Sequence, residues 1–224
     1  MIKLKQTLTS ECVQQISQLI LTGELLPGEK IKGEYLKNKL QVGLSPIREA
    51  LSRLASGIFV EATDNTGFRV AVLNERYVLD GFMSYAMIES LLLKEAIEHG
   101  DDAWEAEIMG NLYRLSKVET TKKVSYQQWG ELNNKFHDSL IGGCQLTILK
   151  RMRQECLLFK DWCYGLAYPY KERVVMEVSH VEHVKIAELT CTRKTEPACA
   201  MLYNHTLHSM NEINELLKRR GIYQ

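Results

Sequence analysis

Apolar side chains recur at helical spacing near the start of the chain. Val13, Ile16, Ile20 and Leu21 follow a Thr/Ser-rich opening, which predicts a helix over 8–22 ended by Gly23. "GELLPGEKI" reads as a turn with Pro27-Gly28 at its tip. Leu36 and Leu40 predict a short second helix over 33–41, broken by Gln41-Val42-Gly43. Ser45-Pro46 then opens a third helix running to about Ser56, with Ser45 as N-cap and Pro46 at the first helical position, where no hydrogen-bonded N–H is lost. Two short helices joined by a tight, Gly-containing turn make a helix-turn-helix. Residues 57–73 alternate apolar and polar positions around Asp64-Asn65-Thr66-Gly67, the pattern of a small β-hairpin.

From Glu75 onward the period is helical throughout, over about 76–99, 101–118, 124–141, 145–166, 172–191 and 195–219. Breaks fall at Gly100, at Gly142-Gly143, around Tyr168-Pro169-Tyr170 and at Thr192–Thr195, and strand signals are absent. The expected fold class is mainly α. A winged helix-turn-helix over 1–74 precedes an all-helical bundle of about six helices over 75–224, built separately from it.

Composition sharpens this picture only a little. Of 224 residues, 45% are hydrophobic and 25% charged, enough for a packed core in a globular protein. Net charge is zero, which speaks mildly against a nucleic-acid binder, and residues 1–72 carry nine basic against seven acidic side chains. No stretch approaches the roughly 20 apolar residues of a membrane span. The first eleven residues lack a signal peptide's apolar core. The six cysteines form no CxxC pair, so reduced thiols and a cytoplasmic location are expected.

The candidate chemistry lies in two places. In a helix-turn-helix the N-terminal end of the second helix meets base edges in the major groove. Leu44, Ser45, Pro46 and Arg48 sit there. Arg48 can donate two parallel hydrogen bonds to a guanine, or instead pair with Glu49 or Glu34. Arg53 is placed to meet the DNA backbone, as is Lys32, and Gly67 lets the hairpin approach a groove with Arg69 beside it. The second place is the helical region, which holds all six histidines. Asn133 and His137 share a helical face, and His183 and His205 sit mid-helix on two later segments; converging, they would suit a divalent ion of the Zn or Ni class.

From "LILTG" at Leu19 to "FRVAVL" ending at Leu73, the chain resembles the winged helix-turn-helix of the GntR family of bacterial transcription regulators. Gly23, Leu25, Pro27-Gly28, Leu36, Leu40, the run Ser45 to Leu51, Arg53-Leu54 and Gly67-Phe68-Arg69-Val70 carry the resemblance. Leu44 stands where that family usually has an arginine, which implies a different operator preference. A head of this kind before an all-helical tail is similar to the FadR subfamily with its FCD ligand-binding domain. "GLSP", "HGDDAWEAE" and "RLSKVE" resemble its regulators of glutarate and 4-aminobutyrate catabolism. The resemblance implies a double-stranded DNA operator, a homodimer and metal ligands Asn133, His137, His183 and His205. It also implies a small organic acid effector near Tyr85 and Glu89. Tyr85 stands where a family arginine often pairs with the acid, so a cation such as Arg151, Arg153 or Arg173 would take over.

Three readings stay open at this point. The first is a ligand-responsive regulator, of repressor type. The second is a metal-dependent hydrolase built on the histidines. The third and plainest is a DNA-binding dimer whose helical tail only dimerises, which metal analysis would separate from the first. Against the hydrolase stand the absence of HExxH, of a G-x-S-x-G elbow and of a P-loop, and the expectation that Glu182, beside His183 in sequence, points off that helical face.

Overall fold

The computed structural model describes residues 7–63, 67–120, 124–168, 173–174 and 177–223. Its first element, α1 (Leu8–Leu21), is capped by Thr7, whose hydroxyl accepts from the Ser10 N–H at 3.2 Å. β1 (Lys30–Ile31) and α2 (Gly33–Leu40) follow. Gln41 closes α2 in the left-handed region at φ +55°, and α3 (Leu44–Leu54) begins three residues later. β2 (Val60–Thr63) and β3 (Gly67–Val70) pair antiparallel, and β1 joins the other edge of β3. The wing is therefore three-stranded. Two-residue β1 is too short to show an alternating pattern, so the sequence reads it as turn. The hairpin tip, 64–66, lies outside the described residues.

The start of α3 differs from the expectation. Gly43, not Ser45, is the N-cap, and Ser45 and Pro46 lie inside the first turn. The first four N–H groups of a helix have no intrahelical partner, so a proline is tolerated beyond the first position. Ile47, Ala50 and Leu51 are buried against α1, and Thr9 donates to Glu49 at 3.0 Å across that contact.

The remainder is helical: α4 (Glu75–His99), α5 (Asp102–Glu119), α6 (Tyr126–Leu140), α7 (Thr147–Ala167), α8 (Glu177–Cys191) and α9 (Thr195–Arg219). Asn74, Asp101 and Ser125 cap α4, α5 and α6 through their side chains, at 2.9, 2.9 and 3.3 Å. Asp101 thus acts as a helix cap, its charge facing the positive end of the helix dipole. One strand pair interrupts the bundle, β4 (Val124–Ser125) with β5 (Arg173–Val174), where no strand was expected. All six cysteines are free.

The two regions are not built separately. α1 lies on α7 so closely that a Cβ on Gly165 would fall 1.9 Å from the Leu21 carbonyl oxygen, so only glycine fits there. Phe59, after α3, meets Trp162 of α7 edge-on at 5.6 Å, and buried residues run without a break across the seam. The helix-turn-helix is therefore seated directly on α7, a helix of the bundle that holds the histidines.

Candidate functional sites: a histidine chamber and an exposed helix

Three helices bring His137 (α6), His183 (α8) and His205 (α9) together in the bundle interior, all buried, with ring centroids 4.6–5.6 Å apart. Each imidazole donates its Nδ1–H to a different carboxylate: His137 to Glu89 at 3.1 Å, His183 to Glu119 at 2.7 Å and His205 to Glu182 at 2.7 Å. A carboxylate on Nδ1 fixes the tautomer and leaves Nε2 as a bare acceptor. The Nε2 atoms of His183 and His205 face each other at 3.2 Å, and the ligand atoms of all three rings lie within 4.8 Å of one another.

Two lone pairs at 3.2 Å repel unless a cation lies between them. Among the described residues, His137 Nε2 and the Oδ1 of buried Asn133 have no hydrogen-bond partner. A tetrahedral zinc with bonds near 2.0–2.1 Å sets its ligand atoms about 3.3 Å apart. Three acceptor nitrogens and one orphaned amide oxygen therefore fit a divalent cation, and their surroundings favour the neutral imidazoles such an ion requires. Burial is the largest influence on each ring and lowers its basicity, against the opposing pull of its carboxylate.

The supporting carboxylates are themselves held. Burial would raise the Glu89 carboxyl, but the Arg153 charge and the hydrogen bonds from His137 and Tyr85 override it and keep it well below the ordinary carboxylate range. Arg153 donates to Glu89 through Nε at 2.9 Å and Nη2 at 2.7 Å, and to Asp138 at 2.6 Å; the Tyr85 hydroxyl donates to Glu89 at 2.6 Å. Glu182 is likewise raised by burial, yet hydrogen bonds from His205 and His208 hold it at about 2. Glu119 also accepts from His180 and from the Trp129 indole, both at 3.1 Å.

This geometry revises several expectations. Glu182 does not point off its helical face; it reaches across to α9 and spends both oxygens on the Nδ1 atoms of His205 and His208. It therefore sits behind the imidazoles and cannot act as a base on their Nε2 side. Glu89 is fully buried and saturated by His137, Arg153 and Tyr85, so it orients a ring rather than meeting a ligand. Arg151 is exposed, because two residues along a helix turn it about 200° from buried Arg153. The Arg173 side chain lies outside the described residues.

The cation that does reach the chamber was missed. Lys160 is buried on α7 over the rings of Tyr85 and Tyr164, at 5.0 and 5.2 Å from their centroids. It shares a small cavity of about 10 Å³ with Tyr85, Trp129, Asn133, His137 and His205, room for a single water. Burial pushes its ammonium below the usual lysine value. The sequence holds a usable signal: Arg153, Leu157, Lys160, Tyr164 and Ala167 form one buried stripe, with two charges set at apolar positions.

On the head, the exposed face of α3 presents Leu44, Ser45, Arg48, Ser52 and Arg53. Arg48 makes no ion pair among the described residues: Arg53 takes Glu49 at 2.6 Å and Lys37 takes Glu34 at 3.4 Å. No side chain caps α3, so its first-turn N–H groups are open to a phosphate. Lys32 is exposed at the start of α2. Gly67, at φ +112°, begins β3, and Arg69 pairs with Glu61 at 3.2 Å.

Comparison with known proteins agrees with this layout. The GntR family of bacterial regulatory proteins matches residues 8–70, and the FCD domain matches residues 80–208. The HTH-type transcriptional repressor GlaR of Escherichia coli K12 is 30% identical over 195 residues, 84% of this chain and 87% of that protein. The Nta operon transcriptional regulator of Aminobacter aminovorans is 27% identical over 195 residues, 86% and 88% of the two chains. The solved structure of E. coli McbR/YncC shares the fold with a TM-score of 0.73 at 16% identity, covering 93% of this chain and 98% of that one. None of these relatives is a hydrolase, and the hydrolase reading falls with Glu182 turned away from the Nε2 side. The chain belongs to the GntR family of bacterial regulatory proteins, carries an FCD domain, and is a transcription regulator rather than an enzyme.

Proposed function

We propose that this regulator is a repressor that binds its operator as a homodimer in the bacterial cytoplasm. In this reading residues 1–74 hold the DNA, and residues 75–224 release it when a small organic acid enters the histidine chamber. One observation carries the reading: three buried imidazoles, each fixed by a carboxylate on Nδ1, turn their Nε2 atoms toward a common point beside the orphaned Asn133 oxygen. His137, His183 and His205 would hold a divalent ion there, with Asn133 as a neutral fourth donor. An ion of the Zn or Ni class supplies an open position for a carboxylate oxygen.

Lys160 then meets the charge of the acid and takes the place of the missing arginine, while the Tyr85 ring beneath it walls the chamber and keeps its hydroxyl on Glu89. A cavity this small admits an effector only if the surrounding helices shift, and α7 carries both Lys160 and the Gly165 contact with α1. An acid that favours the shifted arrangement moves the population toward heads that no longer match the operator. Arg48 reads a base at the N-terminal end of α3, Ser45 and Arg53 meet the phosphate backbone, and Lys32 and Arg69 flank them.

A dimer is supported by an exposed apolar face on two antiparallel helices. Met83, Met87 and Leu91 of α4 run beside Leu158, Met152 and Ile148 of α7, with Ile148 at 70% exposure. A second copy covering this face buries it by two-fold symmetry, as a two-fold operator requires.

The test is metal content with ligand response. Purified protein is expected to retain about one divalent ion per chain, and small mono- or dicarboxylates are expected to raise its melting temperature only when the metal is present. A metal-free protein whose melting temperature no acid changes overturns the reading.

A further inference from the structure

A second, larger groove lies on the other side of α6 and α7, where the helical region meets α1. Its volume is about 180 Å³. Gln18 and Leu21 of α1 line one wall; Tyr126, Gly130, Glu131 and Asn134 of α6 line the other, with Asp161 and Tyr168. Among the described residues its lining includes two carboxylates and no lysine, arginine or histidine. One Asp161 oxygen accepts from Asn134 at 3.0 Å, and the other has no partner among the described residues. The floor is aromatic: Tyr126 stacks on Tyr164 at 5.5 Å and 11°, and on Tyr168 at 5.9 Å and 23°.

A concave site with electron-rich ring faces and a carboxylate opposite is the arrangement that recognises an organic cation. We propose that this groove binds a small organic cation, an amine with an apolar or aromatic body, as a second ligand distinct from the acid of the histidine chamber. The ammonium meets Asp161, with Glu131 nearby, and the apolar body lies on the Tyr126 and Tyr168 rings against Leu21. Burial already raises the Asp161 carboxyl, so a cation docking there relieves a charge that the fold leaves poorly solvated.

The position gives the ligand a role. It touches the head through α1 and the effector region through α6 and α7. The wall behind it, Tyr164 with Trp129 at 6.0 Å, also lines the histidine chamber. A bound amine therefore couples to the acid site through shared rings, and each ligand alters the affinity for the other by the same factor. Binding itself requires neither the metal nor the acid.

The test uses full-length protein and three probes titrated by calorimetry: benzylamine, neutral benzyl alcohol of nearly the same shape, and benzoate. Benzylamine is expected to bind one per chain, at least tenfold more tightly than benzyl alcohol, with no change after chelation or in His183→Ala. Asp161→Asn is expected to abolish the preference for the amine. Gly130, which also lines the groove, gives a second variant: a Cβ there meets the Tyr126 ring in ordinary contact at 3.5 Å, so Gly130→Leu adds apolar bulk to the groove while Asp161 is kept. It is expected to weaken benzylamine at least tenfold with helix content unchanged. Equal affinity for the amine and the alcohol, or wild-type affinity in whichever variants fold, overturns the proposal. Amine binding in protein that neither holds metal nor responds to acids would sink the chamber reading and leave this one standing.

Discussion

The head and the chamber use charge in opposite ways. In the helix-turn-helix every group proposed to meet DNA is exposed, and the core beneath is apolar: Ile47, Ala50 and Leu51 under α3, Ile16 and Ile20 under α1. In the bundle the proposed ligands are buried, and the carboxylates inside are held by partners of defined geometry: Glu89 by the Arg153 charge and a hydrogen bond from His137, Glu119 by His183, Glu182 by His205. A DNA reader must present unspent donors to a polyanion and needs only a rigid platform. A sensor of a small ligand must hold groups away from water so that a few contacts carry enough energy to shift an equilibrium. The same substitution type should therefore cost stability in one region and function in the other.

The largest effect falls on the buried network. Glu89→Ala leaves the Arg153 guanidinium buried without its main partner, which typically costs about 3–5 kcal/mol. Urea denaturation is expected to show a loss of that size, with a smaller one for Glu89→Gln. On the head, Arg48→Ala is expected to weaken operator binding by about 1–3 kcal/mol, roughly fivefold to 150-fold. Its urea midpoint should match the parent, since the side chain is exposed and makes no ion pair among the described residues. Loss of DNA binding together with lowered stability would show Arg48 to be structural.

Acid separates the regions in one experiment. The buried imidazoles are less basic than free histidine, so the unfolded chain takes up protons first as pH falls through the ordinary imidazole value. Glu89, held below its ordinary value, adds to this once pH drops through the usual carboxylate range. Stability is therefore full above about pH 6.5 and declines below it. A stability curve flat from pH 7.5 to 5 would contradict a neutral, buried histidine set. The smallest effect belongs to the surface: Arg53→Ala removes an exposed pair with Glu49 that solvent and salt screen, so its urea midpoint should stay at the parent's value. Its influence should appear instead as a shallower salt dependence of DNA binding.

Much of this was legible in the sequence because period and caps are local. The helices of the bundle follow directly from apolar spacing, and Asn74, Asp101 and Ser125 stand where caps belong. What stayed hidden depends on distant partners. β1, β4 and β5 have two residues each and exist only through the strands they pair with. Ser45 looks like a cap, but the chain turns into helix two residues earlier, since the extended backbone at Gly43 can serve as cap. Asn133 and the three chamber histidines could be proposed as ligands from spacing and resemblance, but the carboxylates that orient the three rings come from α4, α5 and α8, with no common spacing to betray them. Lys160 was overlooked because a charge in an apolar stripe reads as a flaw until the ring walls around it are seen.

The central claim is that the chamber governs the grip of the head on DNA. Fluorescence anisotropy on operator DNA selected by the protein itself tests it most directly, with metal-loaded wild type and His183→Ala compared as small carboxylic acids are added. The account predicts that at least one acid releases wild-type protein from DNA by tenfold or more, and that His183→Ala, still folded and still bound, does not respond. Equal release of both proteins, or of neither across the acids tried, would contradict it.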